Sequence, residues 1–444
     1  MDLCKAKDLD GILDAFEPEP LRGAALDIFY CDSTINSRVA DEYKSPLDDL
    51  FQDCSRSPRS KAYLFMGHMG CGKSTELNVL ARRLRQAGHP TIIIDCRTET
   101  DLFKFDQWDI MLLFTEGLCK IVEESECRLG IKDGILEDIL DYLKTDITVE
   151  EVHEKQASLG VESGLGVKTP ALLSSVLSLM ASIKGRLKIG QYTREKLSTN
   201  MQRRAAEWLE YVRVIANQIT HQLDGKKPVI IFENLDKIQP ADRIFKIFSH
   251  TVLAETSFPV IYTFPISQFY APEFAILQGA YSYLTLPMIK IRNIDGSRFE
   301  PGIRAIFSIV NLRKEEGCIL WNEDAMEELI LKTGGVLRDL FKCIIAAARR
   351  AQRRGLPKFE MEDVKVALTH FQSDLIRWID APDYKPLAKI YQDQGQRRNV
   401  KKDFLLKMTM AGALIEYNGE HWHDVHPLVA DFLIKQGYAD ERRP

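Results

Sequence analysis

The stretch Gly67-His68-Met69-Gly70-Cys71-Gly72-Lys73-Ser74 fits the pattern GxxxxGK[ST], and Thr75 follows it. These residue types at this spacing suit the holding of phosphate. Glycines let backbone N–H groups turn inward around phosphate oxygens, Lys73 sets a positive charge against the β and γ phosphates, and the Ser74 hydroxyl is a magnesium ligand. A phosphate-bound magnesium ion also needs carboxylates at the end of a neighbouring strand, and Glu233-Asn234-Leu235-Asp236 follows the apolar run PVIIF. Glu233 stands where the metal-holding acid belongs. Asn234 stands where a proton-accepting glutamate is often found, and an amide cannot take a proton from water, so turnover is expected to be slow unless Asp236 acts instead. The plainer alternatives are a glycine turn that only joins strand to helix and acids that only face solvent.

The motif needs a strand before it and a helix after it. Ala62 to Met66 is an apolar run of the kind found in a parallel sheet covered on both faces, and Ser74 to Gln86 reads as a helix. Further strands are expected at Thr91 to Asp95, Pro228 to Phe232 and Pro259 to Phe264, with Tyr283 to Ile291 as a possible fifth. Between them, Trp108 to Glu123 and Met201 to Leu223 carry helical patterns. Ser158 to Lys168 and Ile183 to Gln191 are glycine-punctuated and read equally as a hairpin or a mobile loop. After about residue 295 the patterns are helical. A proline-marked linker leads to two helices, a hairpin with an Asn418-Gly419 turn and a last helix from Pro427 to Gln436.

Composition sets the outer limits. With 444 residues, 45% hydrophobic and 28% charged, the chain has room for roughly three domains and is neither collagenous, wholly disordered nor a multi-span membrane protein. Lys plus Arg is 59 against 64 for Asp plus Glu, so no global basic field draws it onto nucleic acid. The nine cysteines are scattered with no CxxC pair, which argues against a zinc ribbon or a disulfide framework. The acidic N-terminus is unlike a signal peptide, and Ala171 to Ile183 is too short to span a bilayer, so a cytosolic location is expected. The expected division is a lead-in over 1–60, an α/β nucleotide-binding domain over 61–292 with a helical insertion at about 125–200, a helical lid over 293–378 and a winged-helix domain over 379–444.

The GxxxxGKS loop, the ENLD box, the strand ending near Thr263, the segment Gly334-Gly335-Val336-Leu337-Arg338-Asp339 and the terminal winged module together resemble AAA+ and STAND ATPases over about residues 60–444, the insertion apart. The resemblance implies a P-loop parallel sheet and ATP or ADP with Mg2+. It makes Arg338 the lid arginine that reaches the γ phosphate, and Thr263 or Ser267 the polar sensor at the end of its strand. The alternative for Arg338 is a surface arginine paired with Asp339 or Glu328. AAA+ rings commonly carry an arginine finger after the sensor strand, yet Phe269 to Leu286 contains no arginine. STAND ATPases, switch proteins that commonly lack this finger, resemble the chain better. Val425-His426-Pro427-Leu428 is similar to their phosphate-sensing histidine motif, with Pro427 in place of the usual acid, although a histidine merely packed at a helix start fits as well.

Two basic clusters remain. Arg349, Arg350, Arg353 and Arg354 lie near a helix end, where cations offset the helix dipole. Arg397, Arg398, Lys401, Lys402 and Lys407 flank the expected recognition helix of the winged module and could touch DNA phosphates or a protein. The function expected is an ATP-binding, slowly hydrolysing switch that converts nucleotide state into domain rearrangement or oligomerisation. The resemblance implies control of a separate effector in a setting such as antiphage defence. An origin-recognition-like ATPase on duplex DNA and a nucleotide-holding assembly module without turnover are the two rivals.

Overall fold

The computed structural model describes residues 4–31, 46–56, 60–125, 129–147, 169–189, 204–249, 251–393, 400–417 and 422–442. Five strands, β1 (Ala62–Gly67), β2 (Thr91–Asp95), β3 (Val229–Glu233), β4 (Val260–Pro265) and β5 (Ser282–Thr285), form one parallel sheet in the order β2-β3-β4-β1-β5. The apolar runs are the reason. β1 and β3 are buried at every position, as strands covered on both faces must be. β5 is shorter than the expected Tyr283 to Ile291, because Leu286 makes its bond to Met66 O (2.8 Å) and Pro287 has no N–H to continue the ladder.

Helices α1 (Leu9–Ala15), α2 (Ala24–Phe29) and α3 (Pro46–Arg56) precede the sheet, and α4 (Lys73–Gln86) follows β1. Then α5 (Gln107–Glu124), begun by a capping box of Asp106 and Asp109, packs Phe114 edge-on against Phe232 of β3 (5.4 Å). Within the expected insertion, α6 (Asp133–Ile147) packs with α7 (Thr169–Ile189) and α8 (Ala205–Gln222), while α7 and α8 each pack with α5. Trp208 of α8 anchors them, fully buried, with its ring tilted against Tyr142 at 4.8 Å and its indole N–H donating to Met111 O at 3.0 Å. Ile183 to Ile189 is helical rather than hairpin or loop. Gly185 has open space around it and a helix tolerates it there, so the glycine does not break α7. Ser158 to Lys168 and residues 190–191 lie outside the described residues.

After the short α9 (Arg243–Phe248) and β4–β5 come α10 (Glu300–Asn311), α11 (Glu323–Lys332), α12 (Leu337–Arg353) and α13 (Met361–Ile376), around a core that includes Ile306, Leu329, Ile344 and Val364. α1 belongs to this core. Leu9, Ile12 and Phe16 share one helical face, and Phe16 meets Trp321 and Phe341 edge-on at 6.1 and 5.5 Å. The first residues thus cross the molecule to pack on its helical part rather than simply leading into the sheet. The chain ends with α14 (Tyr384–Gln392), α15 (Lys402–Met410), the antiparallel hairpin β6 (Leu414–Tyr417) and β7 (Trp422–Val425), and α16 (Pro427–Lys435). This is the expected order of helix, helix, hairpin and helix, with the Asn418-Gly419 turn outside the described residues. No described helix is long and apolar enough to cross a membrane.

Candidate functional site

In a parallel sheet, ligands gather at the carboxyl ends of the strands. β4 lies between β1 and β3, so the glycine loop after β1 and the acids after β3 flank its end, about 10 Å apart at ~4.8 Å per strand. Gly70 (φ 85°) and Gly72 (φ 99°) take left-handed conformations that fold the loop back, and α4 begins at Lys73 with its first N–H groups facing the loop. Gly70 also gives the lid room, since a Cβ there would sit 2.8 Å from Arg338 Cβ.

Lys73 is buried and turned into its own loop. Its Nζ donates to Gly67 O (2.8 Å) and His68 O (3.0 Å) and lies 3.0 Å from Asp236 Oδ2. Burial pulls its pKa down, but the charge of Asp236, the nearby Cys71 and the hydrogen bond to Asp236 together raise it above the usual lysine value and hold the ammonium charged. Glu233 is fully buried, with its pKa pushed up to about 7 by burial against the lowering pull of Arg22 and a hydrogen bond from Ser74. Its Oε1 has no hydrogen-bond partner among the described residues. A buried, orphaned carboxylate oxygen beside a serine hydroxyl fits a magnesium site. No group of three or more His, Cys, Asp or Glu among the described residues could hold a metal, so phosphate oxygens and water must complete any such coordination.

Asn234 is left-handed (φ 67°), as asparagine tolerates, and its amide donates to Asp95 Oδ1 at 2.6 Å. Thr263 lies beneath this turn. It is buried, accepts the Leu235 N–H at 3.0 Å and fixes the loop that carries Asp236, without lining the cavity. Arg338, at the start of α12, lines the cavity beside Gly70; its charge acts on the neighbouring Asp339 without a close ion pair among the described residues. His426 does not join this group. It is buried as the N-cap of α16, its Nδ1 accepting the Leu428 N–H at 3.2 Å, and it does not line the cavity.

The histidine that links loop and hairpin is His68. The Glu416 N–H of β6 donates to His68 Nε2 at 2.8 Å, which places the ring proton on Nδ1. Tyr417 adds an O–H bond to Gly334 O (2.7 Å), and Tyr270, just beyond β4, donates to Glu416 and lies 2.6 Å from His423 Nε2. Sequence reasoning placed His68 only at the phosphates. It missed Asp95, though an acid ending a strand beside β3 was a usable signal, and it missed Arg22, for which no local signal exists. Of the basic cluster by the winged module, Arg397 and Arg398 lie outside the described residues, Lys401 and Lys402 are exposed, and Lys407 is held by Asp380 (2.6 Å) and Asp383 (2.8 Å).

The glycine loop, Lys73, Asn234, Asp236 and Arg338 border a cavity of about 390 Å³ whose walls carry Arg22, Lys73, Arg97, Lys237, Arg313, Arg338 and Lys342 against only Glu19, Glu76 and Asp236 among the described residues. Such an excess of cations suits a polyphosphate. At another wall Arg313, 5% exposed, is stacked between Phe29 (5.4 Å) and Phe341 (4.5 Å) and gives one N–H to Ile309 O at 3.0 Å.

Burial lowers the pKa of His68 to about 4 and of His426 to about 3, from 6.5. A depressed folded-state pKa gives stability that is complete above pH 6.5 and lost as pH falls towards 4, because the unfolded chain takes up protons the folded one refuses. His68 alone accounts for about 2 kcal/mol lost by pH 5. The melting temperature is therefore expected to fall between pH 7 and pH 5, and less steeply in His68→Gln. Parallel slopes for the two proteins would remove His68 from this account.

A parallel sheet in the order β2-β3-β4-β1-β5, with a GxxxxGKS loop after β1 and an acid ending β3, defines an α/β fold of the AAA+-like P-loop class. Among solved structures the chain is similar to Cdc6p from Pyrobaculum aerophilum, at 12% identity over 96% of this chain and 98% of that one, TM-score 0.38. It is similar to the ORC2 protein of Aeropyrum pernix in ADPNP-ADP complexes, at 12% identity over 92% and 99%, TM-score 0.36. A third likeness is to the Aeropyrum pernix ORC1 protein in complex with DNA, at 12% identity over 93% and 96%, TM-score 0.35. No family model matches the sequence, and no curated protein does.

Proposed function

We propose that this protein is a magnesium-dependent ATP-binding switch of slow turnover, in which filling the phosphate seat moves the C-terminal hairpin. One observation carries the reading: His68, inside the glycine loop, is bonded to the backbone of β6 (2.8 Å), so the loop cannot rearrange without disturbing the hairpin. Entry of a triphosphate requires Lys73 to leave Gly67 O, His68 O and Asp236 for the phosphates, which releases the carbonyl of His68 itself.

Ser74 and Glu233 are the residues that would hold magnesium, which supplies charge neutralisation to the phosphates. Asp236, freed from Lys73, is the acid placed to accept a proton from water, whereas the Asn234 amide is spent on Asp95. Arg338 closes the lid side. Phe29, Arg313 and Phe341, which line one wall of the cavity, are the aromatic and cationic groups placed to meet a base. The described residues carry no nuclease, protease or deaminase constellation, which supports an output through a partner effector or a second copy; the conflict setting rests on the resemblance alone.

The test is amide hydrogen exchange across β6 and β7 in the free protein and with magnesium-ADP or magnesium-ATP. Exchange at Glu416 is expected to differ between the free and triphosphate states. Equal protection in all three states would overturn the switch while leaving nucleotide binding intact.

A further inference from the structure

Arg22 belongs to the segment before the sheet, yet its guanidinium lies among the strand-end acids. Its Nη2 is 3.2 Å from Glu233 Oε2 and 3.5 Å from Asp95 Oδ2. Asp95 and Glu233 are register partners on β2 and β3, so without a cation between them two carboxylates would face each other in a poorly solvated corner. The side chain of Arg22 is 51% exposed and those of its partners are 11% and 0%, so the arginine reaches in from a wall of the cavity. Its backbone is fixed. Leu21 N–H donates to Thr75 Oγ1 (3.1 Å), Asp27 holds Arg82 of α4 (2.6 Å), and Tyr30 O–H donates to Glu76 (3.1 Å).

We propose that Arg22 is a catalytic arginine supplied in cis: it occupies the acids while the site lacks a divalent ion and passes to the terminal phosphate when magnesium and nucleotide enter. This deepens the ATP-switch reading and rests on it. A magnesium ion at Ser74 and Glu233 takes the carboxylate charge that now holds Arg22. The contacts of Leu21, Asp27 and Tyr30 keep the segment over the first turns of α4, and the anion then within reach is the phosphate seated by Lys73. In hydrolysis the water oxygen forms a bond to the γ phosphorus as the bond to the bridging oxygen breaks. ADP leaves with the electron pair, the water's proton ends on inorganic phosphate, and Arg22 neutralises charge that grows on the transferring group. An arginine within the chain also answers the lack of one between Phe269 and Leu286.

Calorimetry on the full chain tests this, with magnesium-ADP alone and with fluoroaluminate added as a mimic of the transferring phosphoryl group, beside single-turnover phosphate release. Arg22→Ala is expected to bind magnesium-ADP within about threefold of wild type, to lose most of the affinity gained with fluoroaluminate, and to turn over roughly 1,000-fold more slowly. Arg22→Lys, which keeps the charge without the fork, should fall between. Arg97→Ala is the comparison, since Arg97 lines the same cavity 3.9 Å from Asp95. Three results overturn the assignment: an undiminished fluoroaluminate gain in Arg22→Ala, faster turnover in that variant, which would make Arg22 only a plug, or a loss confined to Arg97→Ala. If wild type took up no magnesium-ADP, the ATP reading itself would fall, and the assignment with it.

Discussion

Lys73→Ala is expected to weaken binding of magnesium-ATP by about 100-fold or more and to bring phosphate release to background. The charged hydrogen bonds that Lys73 would give to phosphate are worth about 1.5–3 kcal/mol each, and about 1.4 kcal/mol is a tenfold change in affinity. Part of that gain is offset in the wild type, where Lys73 must first leave Gly67 O, His68 O and Asp236. In the variant the offset disappears, but Asp236 then faces the incoming phosphates without the ammonium that lies 3.0 Å from it in the wild type. Lost attraction and new repulsion act in the same direction. Asp236→Asn separates the two. It leaves Lys73 in place with a weaker grip on its own loop, so it should bind nucleotide at least as well as wild type while hydrolysing it more slowly. Titration calorimetry at fixed magnesium reads both variants, and a heat for Lys73→Ala equal to that of wild type would remove the phosphate seat from the scheme.

Gly302→Ala should cost the helical part of the molecule about 3 kcal/mol or more. Gly302 lies in the first turn of α10, and a Cβ there would fall 1.7 Å from Lys290 O and 2.9 Å from Lys290 C. Both are backbone atoms that no rotamer change can move. Either α10 or the strand-like segment at Lys290 must shift, and α10 buries Ile303, Ile306 and Val310 in the lid core. Overpacking of a close-packed interior costs about 1–3 kcal/mol even where side chains can adjust. The expected result is a melting temperature lower by roughly 5–10 °C. Gly185→Ala is the contrast. Gly185 lies within α7 with no atom of the described residues within 4 Å of an added Cβ, so the methyl fits without a clash among them and the helix gains about 0.5–1 kcal/mol. Equal melting temperatures for the two variants would show that α10 does not lie against Lys290 as described.

The strands, the glycine loop and the ENLD box were legible because each is a contiguous stretch whose chemistry is set by near neighbours. An apolar run such as PVIIF has few places to lie other than inside a sheet, and GxxxxGKS has one backbone shape that its glycines permit. The places where reading failed were of another kind. Ile183 to Gln191 reads as broken because of Gly185, yet one glycine costs a helix too little to break it, and Ile183 to Ile189 is helical. Residues 1–60 read as a lead-in because prolines interrupt them, and nothing local shows that the apolar face of α1 is completed only by Trp321 and Phe341, about three hundred positions later.

What the linear order of residues settled, then, was the phosphate loop, the acid-tipped strand and the type of most helices, since these depend on dihedral preference and on burial repeated over one strand or turn. Strand order and packing decided the partners. Arg22 meets Glu233 across 211 positions and His68 meets Glu416 across 348, and a hydrogen bond of about 3 Å between such distant residues is a property of where the sheet and lid place them. No local propensity encodes that distance.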